Sequence, residues 1–315
     1  MSRAWGITQA VDLAEAHAQM TSMMPIPLPR VPAAPRAKPV QVSARVLGVR
    51  PVGAYRELTL HAPRVAPSAE PGQFVTLAVG GEDSALMLRR AFALSGASGE
   101  TINVVVAAHG PGTRWIFQRR AGDVVDLIGP LGRAFPPPPP GGSALLVAGG
   151  YGAAPFVGLA QRLVSSGHAV AAVLGAGSAN RLCAVEELAA LTQMLVVTTE
   201  DGTAGRAGRV TDAMPELLPG ASTVYACGPM PMLRAVAAQA TARGLTCHVS
   251  VEEAMACGIG VCMTCVLPVI GKDGTSRMVR SCVEGPVFDA AKVRFDDIGK
   301  LPEDLLGAAA MSPVR

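Results

Sequence analysis

Residues 255 to 265 read Met-Ala-Cys-Gly-Ile-Gly-Val-Cys-Met-Thr-Cys, and a fourth cysteine, Cys282, follows after sixteen intervening residues. Cys257, Cys262 and Cys265 can point at one centre only from a tight loop, because a strand or a helix would send them to different sides. Gly258 and Gly260 supply the positive φ that such a wrap needs, with no Cβ in the way. The spacing C-x4-C-x2-C, closed by a distant cysteine, is that of a plant-type [2Fe–2S] cluster. Two readings compete. A structural zinc site uses paired cysteines on both arms; here one arm is paired, and none of His17, His61, His109, His168 or His248 falls inside the motif. The other is a set of unligated core thiols. Cys183, Cys227 and Cys247 read as small buried hydrophobes rather than ligands.

The chain has seven cysteines, an odd number. Its first 24 residues lack a basic region followed by an unbroken apolar run. Together these favour metal ligation over a disulfide framework, and a cytoplasmic location. Half of the residues are hydrophobic and 16% are charged, a globular composition. With a net charge of +3, few aromatics and no Lys/Arg block, no nucleic-acid partner is expected. The most apolar stretch, 144–160, is broken by Gly149, Gly150, Gly152 and Pro155. It reads as a buried strand, turn and helix, so no membrane span is expected.

Periodicity divides the 315 residues further. Residues 1–39 read as a disordered tail, or as a helix over Ala4 to Met23, followed by six prolines between Pro25 and Pro39 that dictate an extended linker. Residues 40–140 carry short runs such as YRELTLHA and TINVVVAA, several alternating apolar with polar, which predict a small antiparallel β-barrel. Five prolines, Pro136 to Pro140, end that region. Residues 141–249 alternate continuous apolar strands (ALLVAGG, HAVAAVLGAG, LVVTTEDG, TVYACGP, CHVSV) with helices at Pro155–Val164, Ala184–Leu191 and Met230–Arg243. That rhythm predicts a doubly wound parallel sheet. Residues 250–296 are Cys- and Gly-rich and form a small cluster domain, and 297–315 form a tail.

Two turns in the α/β region have the chemistry of nucleotide sites. Gly149, Gly150 and Gly152 follow an apolar strand and open a helix, so a phosphate can approach backbone amides and a helix N-terminus. Cys227, Gly228 and Pro229 end a later strand and open another. In a parallel sheet both turns emerge at the carboxyl edge, where such folds bind ligands. In the barrel, Arg90 of the run Arg89-Arg90-Ala91-Phe92-Ala93 can hold a pyrophosphate and Phe92 can cover a ring. Gly110-Pro-Gly112-Thr113 opens a helix that can take further phosphate oxygens.

In this order the motifs resemble the ferredoxin-reductase superfamily. They are most similar to the electron-transfer subunits of two-subunit, NAD-dependent dihydroorotate dehydrogenases, over residues 40–296. Gly129-Pro-Leu-Gly132 and Cys282-Val-Glu-Gly-Pro-Val-Phe288 belong to the same pattern. The resemblance implies a multidomain β and α/β fold: an antiparallel FAD-binding β-barrel, a doubly wound parallel-sheet NAD(P)-binding domain and a small C-terminal [2Fe–2S] domain. It implies FAD lined by Arg90, Ala91, Phe92, Ala93, Val105, Val106, Ala107, Gly112 and Thr113. It implies NAD(H) at Gly149, Gly150, Gly152, Cys227, Gly228 and Pro229, and the cluster on Cys257, Cys262, Cys265 and Cys282. The chain departs from the family at Ala93, where a serine is usual, and at Ala91 and Phe92, where proline and a branched residue are common. The small subunit of bifurcating NADH-dependent ferredoxin:NADP reductases is similar overall but carries Asp in the place of Cys257.

No nucleophile–base pair or isolated acid pair marks a second substrate site. The resemblance therefore implies an electron relay rather than a self-sufficient enzyme. Its expected partner is an FMN-containing dihydroorotate dehydrogenase catalytic subunit, in a heterotetramer docked through the cluster region and serving pyrimidine biosynthesis. A stand-alone or differently partnered NAD(P)H reductase would share every motif, and a zinc-stapled interaction protein would share the cysteines. Gly202, Gly205, Arg206 and Arg209 lie after a strand, where an arginine faces either a 2′-phosphate or solvent, so the sequence leaves NADH versus NADPH open.

Overall fold

Alternation along six strands sets the first half of the molecule. The computed structural model describes residues 38–81 and 84–305, so the expected helix at Ala4 to Met23, most of the proline linker and the end of the tail lie outside the described residues. Strands β1 (Val40–Val52), β2 (Tyr55–His61), β3 (Phe74–Leu77), β4 (Arg90–Ser98), β5 (Thr101–Val106) and β6 (Val124–Leu131) close into an antiparallel barrel in the order β1-β2-β5-β4-β3-β6. Every second residue of β5, Ile102, Val104 and Val106, is fully buried in the barrel core. Their neighbours Val105 and Ala107 face the other way and pack against the second half of the chain. β3 is buried throughout: Phe74, Val75, Thr76 and Leu77 are all buried, so both faces of that strand are covered. Helix α1 (Pro111–Phe117) follows β5.

After the proline run the strands become parallel. β7 (Ala144–Gly149), β8 (Val170–Ala176), β9 (Met194–Thr199), β10 (Arg206–Ala207), β11 (Thr223–Cys227) and β12 (Thr246–Ser250) join in the order β10-β9-β8-β7-β11-β12. Side chains of β7 alternate between two cores: Leu145 and Val147 on one face, Ala144, Leu146 and Ala148 on the other. Helices α2 (Ala154–Ser165) and α3 (Val185–Leu191) cover the second face through Phe156, Leu159 and Leu188. Helices α4 (Val210–Leu217) and α5 (Met230–Thr241) cover the first through Met214, Leu233 and Val236. The expected helices at 155–164, 184–191 and 230–243 are α2, α3 and α5. Helix α4 is additional: Pro215 and the glycines at 202, 205 and 208 hide its period in the sequence, while Asp212 caps it by accepting from the Arg209 N–H at 2.7 Å.

The cysteine-rich segment is less separate than its composition suggests. It leaves the sheet at β12, forms a hairpin of β13 (Val266–Ile270) and β14 (Ser276–Arg280), and returns as β15 (Val287–Asp289). β15 pairs antiparallel with β12, Val249 opposite Phe288. The segment also touches the barrel, where the Arg133 N–H donates to the Gly285 carbonyl at 2.7 Å. Among the described residues no helix is long and apolar enough to cross a membrane.

Candidate functional site

Sheet order reverses between β7 and β11, the topological switch point at which α/β sheets open a crevice for ligands. Cys227 pairs with Ala148 there, so the two glycine turns predicted as nucleotide sites meet side by side. A Cβ on Gly152 would collide with the Cys227 carbonyl, and one on Gly149 would come within 2.8 Å of the Met232 sulfur. Gly152 therefore has no room for a side chain against fixed backbone, while a side chain at Gly149 would have to displace Met232. A cavity of about 440 Å³ begins at these turns and is lined by Gly149, Gly150, Gly228 and Pro229, with Thr198, Glu200 and Arg209 among its other residues. Arg206, a candidate for a 2′-phosphate, instead pairs with Glu216 outside the cavity.

A second cavity, of about 170 Å³, lies where barrel, sheet and cysteine segment meet. Ala91, Phe92 and Ala93 of β4 and Val105, the flavin candidates of the sequence, line it together with Gly152, Cys227 and Gly228, which the sequence had placed at the nicotinamide site. It also takes in Phe74, Tyr151, Ser250, Glu252, Glu253 and Met255, which sequence reasoning missed. Burial pushes the Cys227 thiol up to about 12 and raises Glu253, so this cavity favours neutral groups over charges. The two cavities share Tyr151, Gly228 and Glu252. The Tyr151 hydroxyl donates to Glu252 Oε1 at 2.6 Å, and its ring lies edge-on to Tyr55. Tyr151 sits within the glycine turn itself; only the small residues there had a phosphate rationale.

Around the flavin motif the structure separates the candidates. Arg90 Nη1 donates to the Leu88 carbonyl at 2.6 Å, and its guanidinium lies over Gly112, where a Cβ would come within 2.7 Å of Nε. Arg90 and Gly112 thus sit together beside α1, a cradle that a larger residue at 112 would fill. The Thr113 hydroxyl accepts from the His109 and Gly110 N–H groups, both at 2.9 Å, and so caps α1. Val106 points into the barrel core, and its side chain lines no cavity.

The four motif cysteines form two pairs. In the outer pair, the Val261 and Cys262 N–H groups donate to Cys257 Sγ at 3.3 and 3.4 Å, and the Thr264 hydroxyl donates to Cys262 Sγ at 3.1 Å. Hydrogen bonds from Thr264, its hydroxyl first, and from Cys257 lower the exposed Cys262 thiol to about 6. In the inner pair, the Cys282 N–H donates to Cys265 Sγ at 3.4 Å, both residues are 2% exposed, and burial pushes Cys282 up to about 12. Gly258 and Gly260 have φ of +70° and +87°, as the wrap requires. No group of three or more His, Cys, Asp or Glu converges on a single ion among the described residues. Four thiols in two pairs, with N–H groups aimed at sulfur, fit a two-iron cluster in which each iron takes one pair. Phe74 and Leu131 pack on the inner pair, with Met255 beside them.

Comparison with known proteins agrees with this geometry. Residues 146–238 match the oxidoreductase NAD-binding domain, and residues 252–294 match the iron–sulfur cluster binding domain of dihydroorotate dehydrogenase B. The chain is 39% identical over 263 residues to the dihydroorotate dehydrogenase B (NAD(+)) electron transfer subunit of Geobacillus thermodenitrificans, covering 82% of this chain and 98% of that one. The corresponding subunit of Caldanaerobacter subterraneus is 34% identical over 256 residues, covering 81% and 99%. Among solved structures, an NADH-dependent reduced ferredoxin-NADP oxidoreductase superposes with a TM-score of 0.72 at 27% identity, over 86% of this chain and 96% of that one. A cytochrome P450 reductase from Amycolatopsis superposes with a TM-score of 0.55 at 29% identity, over 65% and 66%. Identity of this extent, running nearly end to end along the relatives, means that the chain belongs to the family of dihydroorotate dehydrogenase B electron transfer subunits.

Proposed function

We propose that this chain relays electrons between NAD(H) and a dihydroorotate-oxidising partner, through FAD and a [2Fe–2S] cluster. One observation carries the reading: the two cavities and the inner cysteine pair form a continuous series. Tyr151, Gly228 and Glu252 line both cavities, and Phe74 lines the second while packing on Cys265 and Cys282. A nicotinamide delivers two electrons as a hydride, bound FAD takes the pair and releases electrons singly, and the cluster carries one at a time.

Each residue has a part in that sequence. Gly149, Gly150 and Gly152, with Cys227, Gly228 and Pro229, hold the nicotinamide nucleotide at the switch point. Ala91, Phe92, Ala93 and Val105 form the wall against which the flavin ring lies. Arg90 and Gly112 take the FAD pyrophosphate, while Thr113 holds α1 in place for them. Cys257 and Cys262 bind the outer iron, Cys265 and Cys282 the inner one. Val106 supports this wall from the barrel core, and Ala107 extends it on the same side as Val105.

The partner we infer is an FMN-containing dihydroorotate dehydrogenase catalytic subunit, assembled with this chain as a heterotetramer. Ile259, Val261 and Met263 are exposed on the cysteine loop, apolar surface that such a partner would cover. A reducing cytoplasm suits the unbridged thiols. The test is an anaerobic NADH titration with metal analysis. Bleaching of both flavin and iron–sulfur bands, with about two irons per chain, is expected. A colourless protein holding one zinc and no flavin after reconstitution would overturn the reading.

A further inference from the structure

Five buried side-chain atoms among the described residues have no hydrogen-bond partner, and two of them, Thr76 Oγ1 and Ser281 Oγ, flank the cysteine loop. A hydroxyl withdrawn from water without an acceptor is costly, so such groups persist where something meets them. Thr76 leaves the barrel on its outer side. Val75 and Leu77 point into the barrel core, whereas Phe74, two residues before Thr76, packs on Cys265 and Cys282. Thr76 is 2% exposed, and its methyl lies where a Cβ on Gly258 would approach to 2.5 Å. Gly258 directly follows Cys257. One staggered step about χ1 exchanges that methyl for the hydroxyl.

Ser281 stands next to the fourth cysteine in the chain. It is fully buried, directly precedes Cys282, and donates its own N–H to the Cys265 carbonyl at 2.8 Å. Two buried hydroxyls next to the loop or its fourth cysteine therefore lack an acceptor. A cluster held by the four cysteines would bring in sulfur atoms, the acceptors that the protein alone does not provide.

We propose that Thr76 and Ser281 donate hydrogen bonds to the sulfur atoms of the bound [2Fe–2S] cluster and thereby raise its reduction potential. This rests on the reading of Cys257, Cys262, Cys265 and Cys282 as its ligands. Negative charge on the cluster sulfurs grows when an electron arrives, so donors aimed at them stabilise the reduced form more than the oxidised one. The Thr264 hydroxyl already makes this kind of contact to Cys262 Sγ at the outer pair. Thr76 and Ser281 would add donors from buried positions. Each acts as a positioning and tuning group and takes no part in bond making.

The experiment is an anaerobic redox titration of the holoprotein monitored by electron paramagnetic resonance, with iron analysis and the flavin midpoint read in the same samples. Thr76→Val keeps the shape and removes the hydroxyl, and Ser281→Ala does the same at the second site. Each is expected to shift the cluster midpoint to more negative potential with iron content and flavin midpoint unchanged. Thr76→Ser, which keeps the hydroxyl and drops the methyl, is expected to stay at the wild-type midpoint. Unchanged midpoints in fully loaded Thr76→Val and Ser281→Ala proteins would overturn the proposal. So would a Thr76→Ser shift as large as that of Thr76→Val, which would assign the effect to packing. Should Thr76→Val fail to load, Ser281→Ala and Thr76→Ser decide the matter. Wild-type protein without iron would overturn the ligand reading itself, an outcome that metal analysis alone distinguishes.

Discussion

The barrel and the cysteine segment lie against each other but are held together by different physics. The barrel closes all its strand edges and buries a continuous apolar core, including Leu58, Leu60, Ile102, Val104 and Leu127, all fully buried. The segment between β12 and β15 owns one two-stranded hairpin, which buries Leu267 and Val269 in the core of the parallel sheet, while Cys265 and Cys282 pack against Phe74 and Leu131. An isolated hairpin is marginal in water. The barrel therefore folds on burial alone, whereas the loop needs its metal–thiolate bonds as well as the barrel wall. The electron-carrying part of the molecule is thus a graft, joined to strand β12 at both ends and seated on the sheet core through its hairpin.

The largest test of that contrast removes an inner ligand. Cys265→Ser or Cys282→Ser is expected to abolish the iron–sulfur bands and expose residues 252–286 to limited proteolysis, while flavin absorbance persists. Loss of flavin in parallel would show that barrel and graft are one cooperative unit. The converse change, Leu58→Ala in the barrel core, is expected to cost about 2–5 kcal/mol of unfolding free energy. Chemical denaturation followed by flavin release checks it.

A smaller effect is expected at the junction of the cavities. Gly152→Val forces a side chain into the Cys227 carbonyl. Displacing a reacting group by about 1 Å costs on the order of 100-fold. Flavin reduction by NADH in stopped flow is expected to slow by that order, with cluster content intact. Tyr151→Phe removes only the hydrogen bond to Glu252, which is worth about 1 kcal/mol, or roughly fivefold in NAD+ affinity by calorimetry.

The smallest expected effect concerns the anchor. His248 on β12 stacks on Tyr225 and pairs with Asp289 of β15; burial, opposed by Asp289, lowers its pKa below that of a free histidine. The unfolded chain then binds the proton more readily than the folded one. Stability is fully present above the free-histidine value of about 6.5 and falls as pH drops below it. His248→Gln is expected to flatten stability between pH 7 and about pH 5, measured by denaturation at each pH. An unchanged slope would remove His248 from the account.

Much of this architecture was legible in the order of residues. Period-two runs such as TINVVVAA announced the barrel, and continuous apolar runs such as ALLVAGG the parallel sheet. The cysteine spacing announced its loop. Each of these signals lies within about ten consecutive residues, the range over which backbone periodicity and loop geometry act. Helix α4 was missed because Pro215 and nearby glycines interrupt its local pattern. The capping role of Thr113 and the inward direction of Val106 were also hidden, since a motif names positions without saying which way each side chain turns.

The sequence by itself determined the barrel, the doubly wound sheet, the cysteine loop and the glycine turns, because each follows from neighbours along the chain. Tertiary structure alone decided that β15 returns to β12, that Tyr151 and Glu252 stand between two cavities, and that Phe74 and Thr76 reach the cysteine loop from the barrel. These contacts join residues from 37 (Ser250 and Val287) to 208 (Phe74 and Cys282) positions apart. Nothing in local propensity selects among the many partners such distant residues could have; packing one buried face against another does.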